Sequence, residues 1–530
     1  MAQPKAVQGR RMMDRDRSDM AMESTGDAVL VFEPVLARAA RFAERPALAD
    51  VSRQYSYGQL GCAIEQRATV LRSLGIAPGD RVVLASDNSA EQLATHFAIL
   101  RTGAVSVPLP GSTPVDRLDF IARDCTARMI CVDTRALAGA RAGGERTILS
   151  LADLSRRGEE ARQLAEPAGR TPDDIACLMY TTGSTGDPKA VILTHRSLGS
   201  ALSHIIDYLG CSAADREAIV LPLSHSFGLG HAYCTLWCGG FVWVNDGLRP
   251  LKAVLDALTR FEINAMPTTP SMLRLLLGPY RQAFLRNAGG LRRMVVNSER
   301  LPPDQAAEVL AALPGTDIVI YYGLTEASRS TFLRLRDEPA ERHGTVGRAA
   351  PRVEIGICDA SGAPLPSGSE GEVRIRGPHL AVGYWQRPDE QAAAFRDGWL
   401  HSGDLGTLDS EGYLTITGRL KDQINVGGFK VSAKEVEDVL RRYARIADVA
   451  VTGISDPQGL RGEAVAVAVV GHDRDLTAEE VAAFCADHLD AAAQPQRIAM
   501  VDAIPRAESG KVLKGDVQRL FQSGDGWTRA

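Results

Sequence analysis

The chain has 530 residues, of which 45% are hydrophobic and 24% are charged, and its formal net charge is −5. At ~150 residues per domain this length allows about three or four domain-sized units, and the composition is typical of a globular protein in water. The sequence has no dense basic stretch, and its apolar runs are shorter than the ~20 residues of a membrane span, so we expect neither nucleic-acid binding nor a membrane-spanning segment.

The first 27 residues mix arginines, acidic residues and methionines, and contain no apolar segment resembling the core of a signal peptide. We therefore expect a disordered tail over residues 1–27. From Val31 onwards, patterns typical of helices and strands alternate, which indicates a parallel sheet with helices on both faces. Helices are predicted at residues 32–43, 58–74 and 89–102, and strands at residues 47–50, 54–57, 79–85 and 104–109.

A second α/β unit and two smaller units are predicted farther along the chain. Apolar strands at residues 218–222, 265–267, 294–297 and 317–322, separated by helical stretches at 251–261 and 270–277, fit a second doubly wound sheet. After Arg342, alternating strands at 353–359, 371–376 and 413–417 with Gly- and Pro-rich turns indicate a small antiparallel sheet or barrel. From Lys421 a separate unit of helices and strands begins.

The expected fold class is therefore α/β. An N-terminal domain over residues 28–419 would contain two doubly wound sheets and a β-barrel-like subdomain. A small α+β C-terminal domain would follow over residues 420–530.

The chain has nine cysteines, an odd number, at scattered positions: 62, 125, 131, 177, 211, 234, 238, 358 and 485. Disulfide frameworks are denser and belong to small secreted chains, so we expect reduced, mostly buried thiols and a cytoplasmic protein. His231, Cys234 and Cys238 could be metal ligands. We favour core packing for them, because no second pair of ligands lies nearby in the sequence.

The stretch Tyr180-Thr-Thr-Gly-Ser-Thr-Gly-Asp-Pro-Lys189 lies between two predicted strands, at residues 175–180 and 190–193. Its glycines let an anion approach the backbone, its hydroxyl and N–H groups can donate to phosphate oxygens, and Lys189 adds a positive charge. It is not a Walker A loop, because Pro188 precedes the lysine and a strand follows. A hairpin turn is the alternative, but we interpret the stretch as a phosphate-binding loop.

This loop resembles the phosphate loop of the adenylate-forming superfamily, which includes acyl-CoA synthetases, adenylation domains of peptide synthetases and firefly luciferase. The usual family form is Tyr-Thr-Ser-Gly-Thr-Thr-Gly-x-Pro-Lys-Gly, and this chain departs from it at positions 182, 184 and 190. The resemblance assigns the loop to the β- and γ-phosphates of ATP. The implied phosphate-binding residues are Thr181, Thr182, Gly183, Ser184, Thr185, Gly186 and Lys189.

The stretch Tyr322-Gly-Leu-Thr-Glu326 follows a predicted buried strand. Ligands of open α/β sheets bind at the carboxyl ends of strands, and a carboxylate there suits Mg²⁺, although a surface acid is the alternative. In the superfamily this element contacts adenine and the metal. The resemblance implies nucleotide binding by Tyr322, Gly323 and Thr325, with Thr325 at the α-phosphate, and Mg²⁺ ligation by Glu326 with Thr181.

The run Gly-Trp-Leu-His-Ser-Gly-Asp404-Leu resembles the family motif Gly-Trp-x-x-Thr-Gly-Asp-Leu. A carboxylate can accept both hydrogen bonds of a ribose diol. The alternative is an aspartate in a simple Ser-Gly-Asp turn. We interpret Asp404 as a ribose ligand.

Residues 418–431 resemble the junction between the two domains of the superfamily. The resemblance implies that Arg419 contacts ribose and phosphate, and that Lys421 is the hinge about which a mobile C-terminal domain turns. Gly427 and Gly428 would let the pantetheine arm of CoA pass close to the backbone. Asn425 stands where many relatives have lysine.

The run Ile504-Pro-Arg-Ala-Glu-Ser-Gly-Lys511-Val-Leu-Lys resembles the C-terminal family motif Pro-Arg-x-x-x-Gly-Lys-x-x-Lys. Most lysines are solvated surface charges, but a lysine after a glycine in a mobile loop can move into a site where negative charge develops. Lys511 is therefore the main catalytic candidate. Lys189 and Mg²⁺ at Glu326 would supply the remaining positive charge during phosphoryl transfer.

The run Leu-Pro-Leu-Ser-His225-Ser-Phe227-Gly resembles the family motif Leu-Pro-Leu-Phe-His-x-x-Gly. We expect His225, Phe227 and Tyr321 at the binding site of the acid, with a core histidine as the open alternative for His225. The run Asn-Ser298-Glu299-Arg-Leu stands where relatives often have a glycine-rich segment. We expect Ser298 and Glu299 near adenine and the acid, in a narrower or more polar pocket.

The resemblance covers residues from about 30 to 520 and implies a two-step reaction. A carboxylate attacks the α-phosphate of ATP and pyrophosphate leaves, and a thiol then captures the acyl-adenylate. CoA is the expected acceptor, and the phosphopantetheine arm of a separate acyl carrier protein is the alternative. An inactive adenylate-binding homologue is less favoured, because Lys511 and Glu326 are present. We expect ATP, Mg²⁺ and CoA as cofactors, an acid that the sequence does not name, and a monomer or homodimer.

Overall fold

The computed structural model describes residues 28–133, 147–160, 169–182, 188–298, 301–426, 429–455, 463–473, 475–489, 493–507, 510, 512–521 and 527–529. The tail predicted over residues 1–27 lies outside these ranges. None of the helices in the described ranges has both the length and the apolar character needed to cross a membrane.

The strands, numbered in chain order, are β1 (Pro46–Ala49), β2 (Gln54–Ser56), β3 (Arg81–Ala85), β4 (Val105–Leu109), β5 (Met129–Val132), β6 (Thr147–Ser150), β7 (Ile175–Thr182), β8 (Pro188–Thr194), β9 (Arg216–Ile219), β10 (Phe241–Val244), β11 (Ala265–Thr268), β12 (Arg293–Val296), β13 (Asp317–Tyr322), β14 (Thr331–Arg334), β15 (Arg348–Ala349), β16 (Glu354–Cys358), β17 (Glu370–Arg376), β18 (Gly383–Tyr384), β19 (Phe395–Arg396), β20 (Trp399–Leu408), β21 (Leu414–Arg419), β22 (Gln423–Val426), β23 (Phe429–Ser432), β24 (Ile446–Ser455), β25 (Glu463–Gly471), β26 (Arg497–Met500) and β27 (Trp527–Arg529).

The α-helices are α1 (Glu33–Arg41), α2 (Tyr57–Ser73), α3 (Ala90–Arg101), α4 (Val115–Asp124), α5 (Leu151–Glu160), α6 (His195–Leu209), α7 (Ser226–Trp237), α8 (Leu251–Arg260), α9 (Pro270–Leu277), α10 (Arg281–Asn287), α11 (Pro303–Ala312), α12 (Pro388–Ala394), α13 (Ala433–Leu440), α14 (Ala478–His488) and α15 (Lys514–Leu520).

Local capping explains where α6 begins and ends. Thr194 accepts a hydrogen bond from the backbone N–H of Ser197, and the Ser197 side chain bonds back to the backbone of Thr194, which satisfies two free donors of the first turn. At the other end Gly210 adopts a left-handed conformation with φ 63°, which glycine adopts without steric cost. Strand β8 therefore passes directly into α6.

The first large sheet has seven strands in the order β18-β8-β7-β4-β3-β5-β6. Strands β3 to β7 are parallel along this path, as the alternation of strands and helices predicts. Strands β8 and β18 form an antiparallel edge. For β7 and β8 the reason is the short connection from Thr182 to Pro188, since a parallel crossover needs a dozen residues or more.

The second large sheet has nine strands in the order β15-β14-β13-β12-β11-β9-β10-β1-β2. Strands β1 and β2 follow the first predicted helix, and the sequence pattern placed them in the first sheet. That placement is wrong, because β1 pairs in parallel with β10, with Leu48 opposite Val242. The buried hydroxyl of Tyr57, which directly follows β2, lies 2.8 Å from the carbonyl oxygen of Gly240 and 3.1 Å from that of Leu236, so its single proton holds this edge against the end of α7.

Two helices lie buried between the large sheets. Every residue of α3 except Glu91 is buried, and every residue of α7 except Ser226 is buried. A helix enclosed on all sides needs partners for its polar residues. His96 bonds to Ser106 and to the Tyr233 hydroxyl, at 2.8 and 2.7 Å.

The residues considered as metal ligands lie in α7 or, for Cys238, directly after its last residue. His231, Cys234 and Cys238 are buried, and Nδ1 of His231 lies 2.8 Å from Oε1 of the buried Glu217. Burial raises the pKa of the Cys234 thiol well above its ordinary value, so this side chain packs as a neutral group. Eight of the nine cysteines are buried, Cys62 is exposed, and all are free thiols.

The remaining strands form smaller sheets. Strands β16, β17, β20, β19 and β21 make a five-stranded antiparallel sheet. In the C-terminal region β22 and β23 form a hairpin, and β24 to β27 form a four-stranded sheet with its own hydrophobic core. The N-terminal region, with its two large sheets, is thus the larger part and has the predicted α/β class, and the smaller C-terminal region has a mixed sheet that fits the predicted α+β class.

Candidate active site

The predicted phosphate loop lies between β7 and β8 in the sequence, and these two strands pair as a hairpin. Thr181 pairs with Lys189 at its base. The Tyr180 hydroxyl donates a 2.6 Å hydrogen bond to Oδ2 of Asp124, and Oδ1 of Asp124 accepts a 2.7 Å bond from Arg387. The start of the loop is therefore held against the end of α4.

Lys189 and Glu326 lie on two sides of one tyrosine. Nζ of Lys189 is 3.9 Å from the centroid of the Tyr384 ring, and the Tyr384 hydroxyl donates a 2.7 Å hydrogen bond to Oε1 of Glu326. Burial, and then the Glu326 carboxylate, raise the pKa of Tyr384 well above its ordinary value, so the phenol keeps its proton. The structure thus brings a predicted phosphate ligand and a predicted metal ligand to the same place.

Strand β18 positions Tyr384, which sequence reasoning missed. Tyr384 pairs with Val191 and Gly383 with Ile192, so the tyrosine lies beside the hairpin that carries the loop. Gly383 has φ 146°, and a Cβ at this position would collide with the side-chain amide of Gln391. The sequence around it is Gly-Tyr-Trp-Gln-Arg-Pro, and only two of these residues form the strand, which is too short for a sequence pattern to predict.

A second group joins three predicted nucleotide ligands. The Tyr322 hydroxyl donates a 2.7 Å hydrogen bond to Oδ2 of Asp404, and Nε of Arg419 lies 2.7 Å from Oδ1 of the same carboxylate. Asp404 is only 2% exposed. Burial, and then Asp404, raise the pKa of Tyr322 well above its ordinary value, which keeps this phenol a donor. Each Asp404 oxygen retains further lone pairs that can accept ribose hydroxyls.

The turn after β13 carries Thr325 and Glu326 at the carboxyl end of a parallel strand. A Cβ on Gly323 would lie 2.5 Å from the backbone nitrogen of Arg329 and 2.7 Å from the carbonyl oxygen of Ala327. The turn is therefore folded so tightly that only glycine fits at this position. The Glu326 carbonyl accepts a 2.8 Å hydrogen bond from the backbone N–H of Ala381, which fixes the turn against the segment leading to β18.

A pocket opens beside Thr325, between α6, α7 and this turn. Its lining combines apolar and polar side chains: Met179, Leu193, Ser197, Leu198, Ala201, Leu202, Ser226, Leu229, Gly230, Tyr233, Thr325, Ser328, Arg329 and His379. Sequence reasoning missed Arg329 and His379, because neither lies in a motif used to interpret the chain.

The three predicted acid-binding residues lie around the start of α7. His225 is exposed at the position before the helix, so the alternative of a core histidine is wrong. Phe227 is buried and packs edge-on against Tyr321, with ring centroids 5.2 Å apart. Neither Phe227 nor Tyr321 is among the residues that line the pocket.

Ser298 is exposed and has φ 80°, in the left-handed region that favours glycine. This backbone conformation suits the glycine that relatives often have here, and the serine adopts it despite its Cβ.

Several predicted residues lie outside the described part of the chain: Gly183, Ser184, Thr185, Gly186, Glu299, Gly427, Gly428 and Lys511. The side chains of Thr182 and Lys421 are not described either. Near Lys511, Nζ of Lys514 lies 3.6 Å from Asp422, so the C-terminal motif contacts the predicted junction.

The donor set at Glu326 fits Mg²⁺. Within the described residues, Oε2 of Glu326 accepts no hydrogen bond, while Oε1 is bonded to Tyr384. Thr181 adds a hydroxyl on the neighbouring hairpin, where it lies 3.4 Å from the Lys189 carbonyl. Carboxylate and hydroxyl oxygens, together with phosphate oxygens, are the ligands that Mg²⁺ prefers.

Comparison with known proteins identifies the family of this chain. Residues 35–385 match the model of the AMP-binding enzyme family, and residues 435–511 match the AMP-binding enzyme C-terminal domain. The first match covers the hairpin of Lys189, the turn of Glu326 and Tyr384.

Similar proteins span nearly the whole chain. A feruloyl-CoA synthase from Amycolatopsis sp is 33% identical over 472 residues, which are 88% of this chain and 94% of that protein. The structure of ATP-bound MatB from Rhodopseudomonas palustris is 28% identical, with TM-score 0.82, covering 92% of this chain and 99% of that one. O-succinylbenzoate CoA synthetase from Bacillus subtilis, in complex with its acyl-adenylate intermediate, is 26% identical, with TM-score 0.83, covering 92% and 97%. The chain therefore belongs to the AMP-binding, adenylate-forming enzyme family.

Proposed function

We propose that this protein is an ATP-dependent acid–thiol ligase that forms an acyl-adenylate and transfers its acyl group to CoA. The observation that carries the proposal is the juxtaposition of Lys189 and Glu326 around Tyr384. A cation and a carboxylate able to hold Mg²⁺ are what the triphosphate of ATP needs. The relatives named as CoA synthases or synthetases favour CoA as acceptor, and they do not favour the carrier-protein alternative.

In the first step a carboxylate oxygen of the acid attacks the α-phosphorus of ATP, and the bond to pyrophosphate breaks. Asp404, Arg419 and Tyr322 hold the nucleoside, and Lys189 binds the departing phosphates with the loop residues. Glu326 and Thr181 would hold Mg²⁺, which would supply positive charge to the phosphate oxygens. Lys511 stabilises the charge that develops at the α-phosphate.

In the second step the thiol of CoA attacks the acyl carbonyl and AMP leaves. The C-terminal domain, from residue 420, turns about Lys421 between the two steps, and Gly427 and Gly428 line the path of the pantetheine arm. Such domain rotations occur in microseconds to milliseconds and can limit turnover. A cytoplasmic location and a monomeric or homodimeric state belong to the same proposal.

The test is a screen of carboxylic acids for acid-dependent release of pyrophosphate, followed by mass spectrometry of the product formed with CoA. The proposal predicts a CoA thioester and AMP in equal amounts. A carrier protein with its phosphopantetheine arm, supplied instead of CoA, is the comparison. Acid-dependent pyrophosphate release with a thioester on the carrier protein and none on CoA would refute the choice of CoA.

A further inference from the structure

A guanidinium group lies buried in the wall of the pocket beside Thr325. Arg329 is 2% exposed and has φ 62°. Its Nη1 donates a 2.8 Å hydrogen bond to the carbonyl of Ser226, and its Nη2 donates a 3.0 Å bond to the carbonyl of Phe227. The guanidinium is thus held against the first turn of α7.

The neighbouring helix leaves room for this group. A Cβ on Gly230 would lie 2.5 Å from Nη2 of Arg329, and both residues line the pocket. Any larger residue at position 230 would displace the guanidinium. Two elements therefore fix the guanidinium. The turn after Glu326 carries Arg329, and α7 supplies the carbonyl acceptors and the space at Gly230.

The charge of Arg329 has no counter-ion among the described residues. The ion pairs of the described chain, within 4.0 Å, do not include it, and its nearest aromatic contact is the Tyr321 ring, 5.2 Å from Cζ. A buried charge without a charged partner is strongly unfavourable, and bonds to carbonyl dipoles offset only part of the cost. A ligand that brings a negative charge would remove this cost.

The hydrogen-bonding capacity of Arg329 is also incompletely used. Three of its five N–H groups donate to Ser226, Phe227 and the Ser328 hydroxyl. Nε is buried and has no partner among the described residues. The unused N–H groups belong to a planar fork whose neighbouring donors are spaced to bind one carboxylate through two parallel bonds.

We infer that Arg329 selects acids that carry a second, negatively charged group, of which a dicarboxylic acid is the simplest. One carboxylate would react near Thr325, and the other would bind the Arg329 guanidinium inside the pocket. This inference rests on the proposed function and names the substrate class of the same site. The apolar lining, which includes Leu198, Leu202 and Leu229, would contact the carbon skeleton between the two carboxylates.

The test compares matched pairs of acids that differ only in a terminal carboxylate, such as hexanoate and adipate, or 3-phenylpropanoate and its para-carboxylated form. We expect kcat/KM for pyrophosphate release to favour the diacid at least tenfold in the best pair. Arg329→Met should lower kcat/KM for the diacid by about 10- to 100-fold and leave the monoacid within about twofold, the range expected for losing a charged hydrogen bond. Arg329→Lys should restore part of the preference.

Two further variants separate specificity from folding. Gly230→Ala should reduce the preference for the diacid, because its methyl group would displace the guanidinium. Arg286→Met removes an exposed arginine of α10 and should leave kcat/KM unchanged for both acids. The AMP affinity of each variant, measured by calorimetry, reports whether the fold is retained. An equal loss with both acids in Arg329→Met would assign Arg329 a structural role and overturn the inference.

Binding of the acids, measured by calorimetry with a non-hydrolysable ATP analogue, distinguishes this inference from the proposed function. Tight binding of diacids that depends on Arg329, without any turnover, would support the role of Arg329 and overturn the ligase activity. Turnover by the wild type that favours the monoacid in every pair would support the ligase and overturn the inference. Absence of diacid binding in the wild type would also overturn it.

Discussion

The Tyr384 hydroxyl donates a 2.7 Å hydrogen bond to Oε1 of Glu326, and the ring of the same tyrosine lies 3.9 Å from Nζ of Lys189. One residue therefore contacts both a cation and a carboxylate. Lys189 forms no ion pair with any described residue. Because Tyr384 lies between Lys189 and Glu326, the two charges do not pair with each other, and both can contact a ligand. In the proposed function, the phosphates of ATP and their Mg²⁺ bind at these two charges.

Tyr384→Phe removes the hydrogen bond and keeps the ring. We expect the rate of acid-dependent ATP–pyrophosphate exchange to fall about 10- to 100-fold, the range for a hydrogen bond to a charged group. The Mg²⁺ concentration for half-maximal exchange should rise, because Glu326 is less well oriented. Tyr280→Phe is the control, since Tyr280 is 44% exposed on the surface. Unchanged exchange and Mg²⁺ dependence in Tyr384→Phe would contradict this role.

Asp404→Asn should weaken nucleotide binding. The amide loses the charge that faces Arg419, and it can place an N–H against the Tyr322 hydroxyl, which is itself a donor. We expect the dissociation constant for AMP, measured by calorimetry, to rise about 10- to 100-fold. Asp256→Asn, on the exposed face of α8, should leave it unchanged. Equal affinities in wild type and Asp404→Asn would show that the Tyr322–Asp404–Arg419 group does not hold the nucleotide.

Low pH should destabilise the fold, because several of its histidines are buried. Burial lowers the pKa of His96 from 6.5 to about 3. In the unfolded chain His96 binds a proton below about pH 6.5, whereas in the folded chain it stays neutral down to about pH 3. The folded state is therefore destabilised relative to the unfolded state as the pH falls through this window. His195 and His379 act in the same direction, since burial lowers their pKa values to about 4 and about 3.

Each such histidine contributes a slope of up to about 1.4 kcal/mol per pH unit to the free energy of unfolding. Urea denaturation between pH 7 and pH 5 measures this slope. His96→Gln should reduce the slope by up to about 1.4 kcal/mol per pH unit. His488→Gln, at an exposed site, should leave the slope unchanged. A slope in His96→Gln equal to that of the wild type would mean that His96 is not a neutral buried group.

The sequence predicts individual helices and strands correctly where neighbouring residues mark their ends. The strand predicted at 317–322 is β13, and the helix predicted at 270–277 is α9, with the same bounds. Thr269 caps α9, Pro270 begins it and Gly278 follows it, so both of its ends are marked in the sequence. The motifs at Lys189, Glu326 and Asp404 are equally local, which is why they were found.

Relationships between distant segments do not follow in the same way. Strand β1 joins the second sheet through β10, almost 200 residues away, because Leu48 pairs with Val242. Tyr384 reaches Glu326 across 58 residues, and Arg329 reaches Ser226 across 103. No local pattern specifies these contacts, since they depend on how the sheets and the buried helix α7 pack together.

The most direct test of the two-step account separates the half-reactions in Lys511→Ala. With an acid from the screen, ATP–pyrophosphate exchange should fall by about 10²–10³, as expected when one charge-stabilising group is removed. With the synthetic acyl-adenylate of that acid and CoA, the same variant should form the thioester at the wild-type rate. Exchange at the wild-type rate in Lys511→Ala, or loss of thioester formation from the acyl-adenylate, would contradict the account.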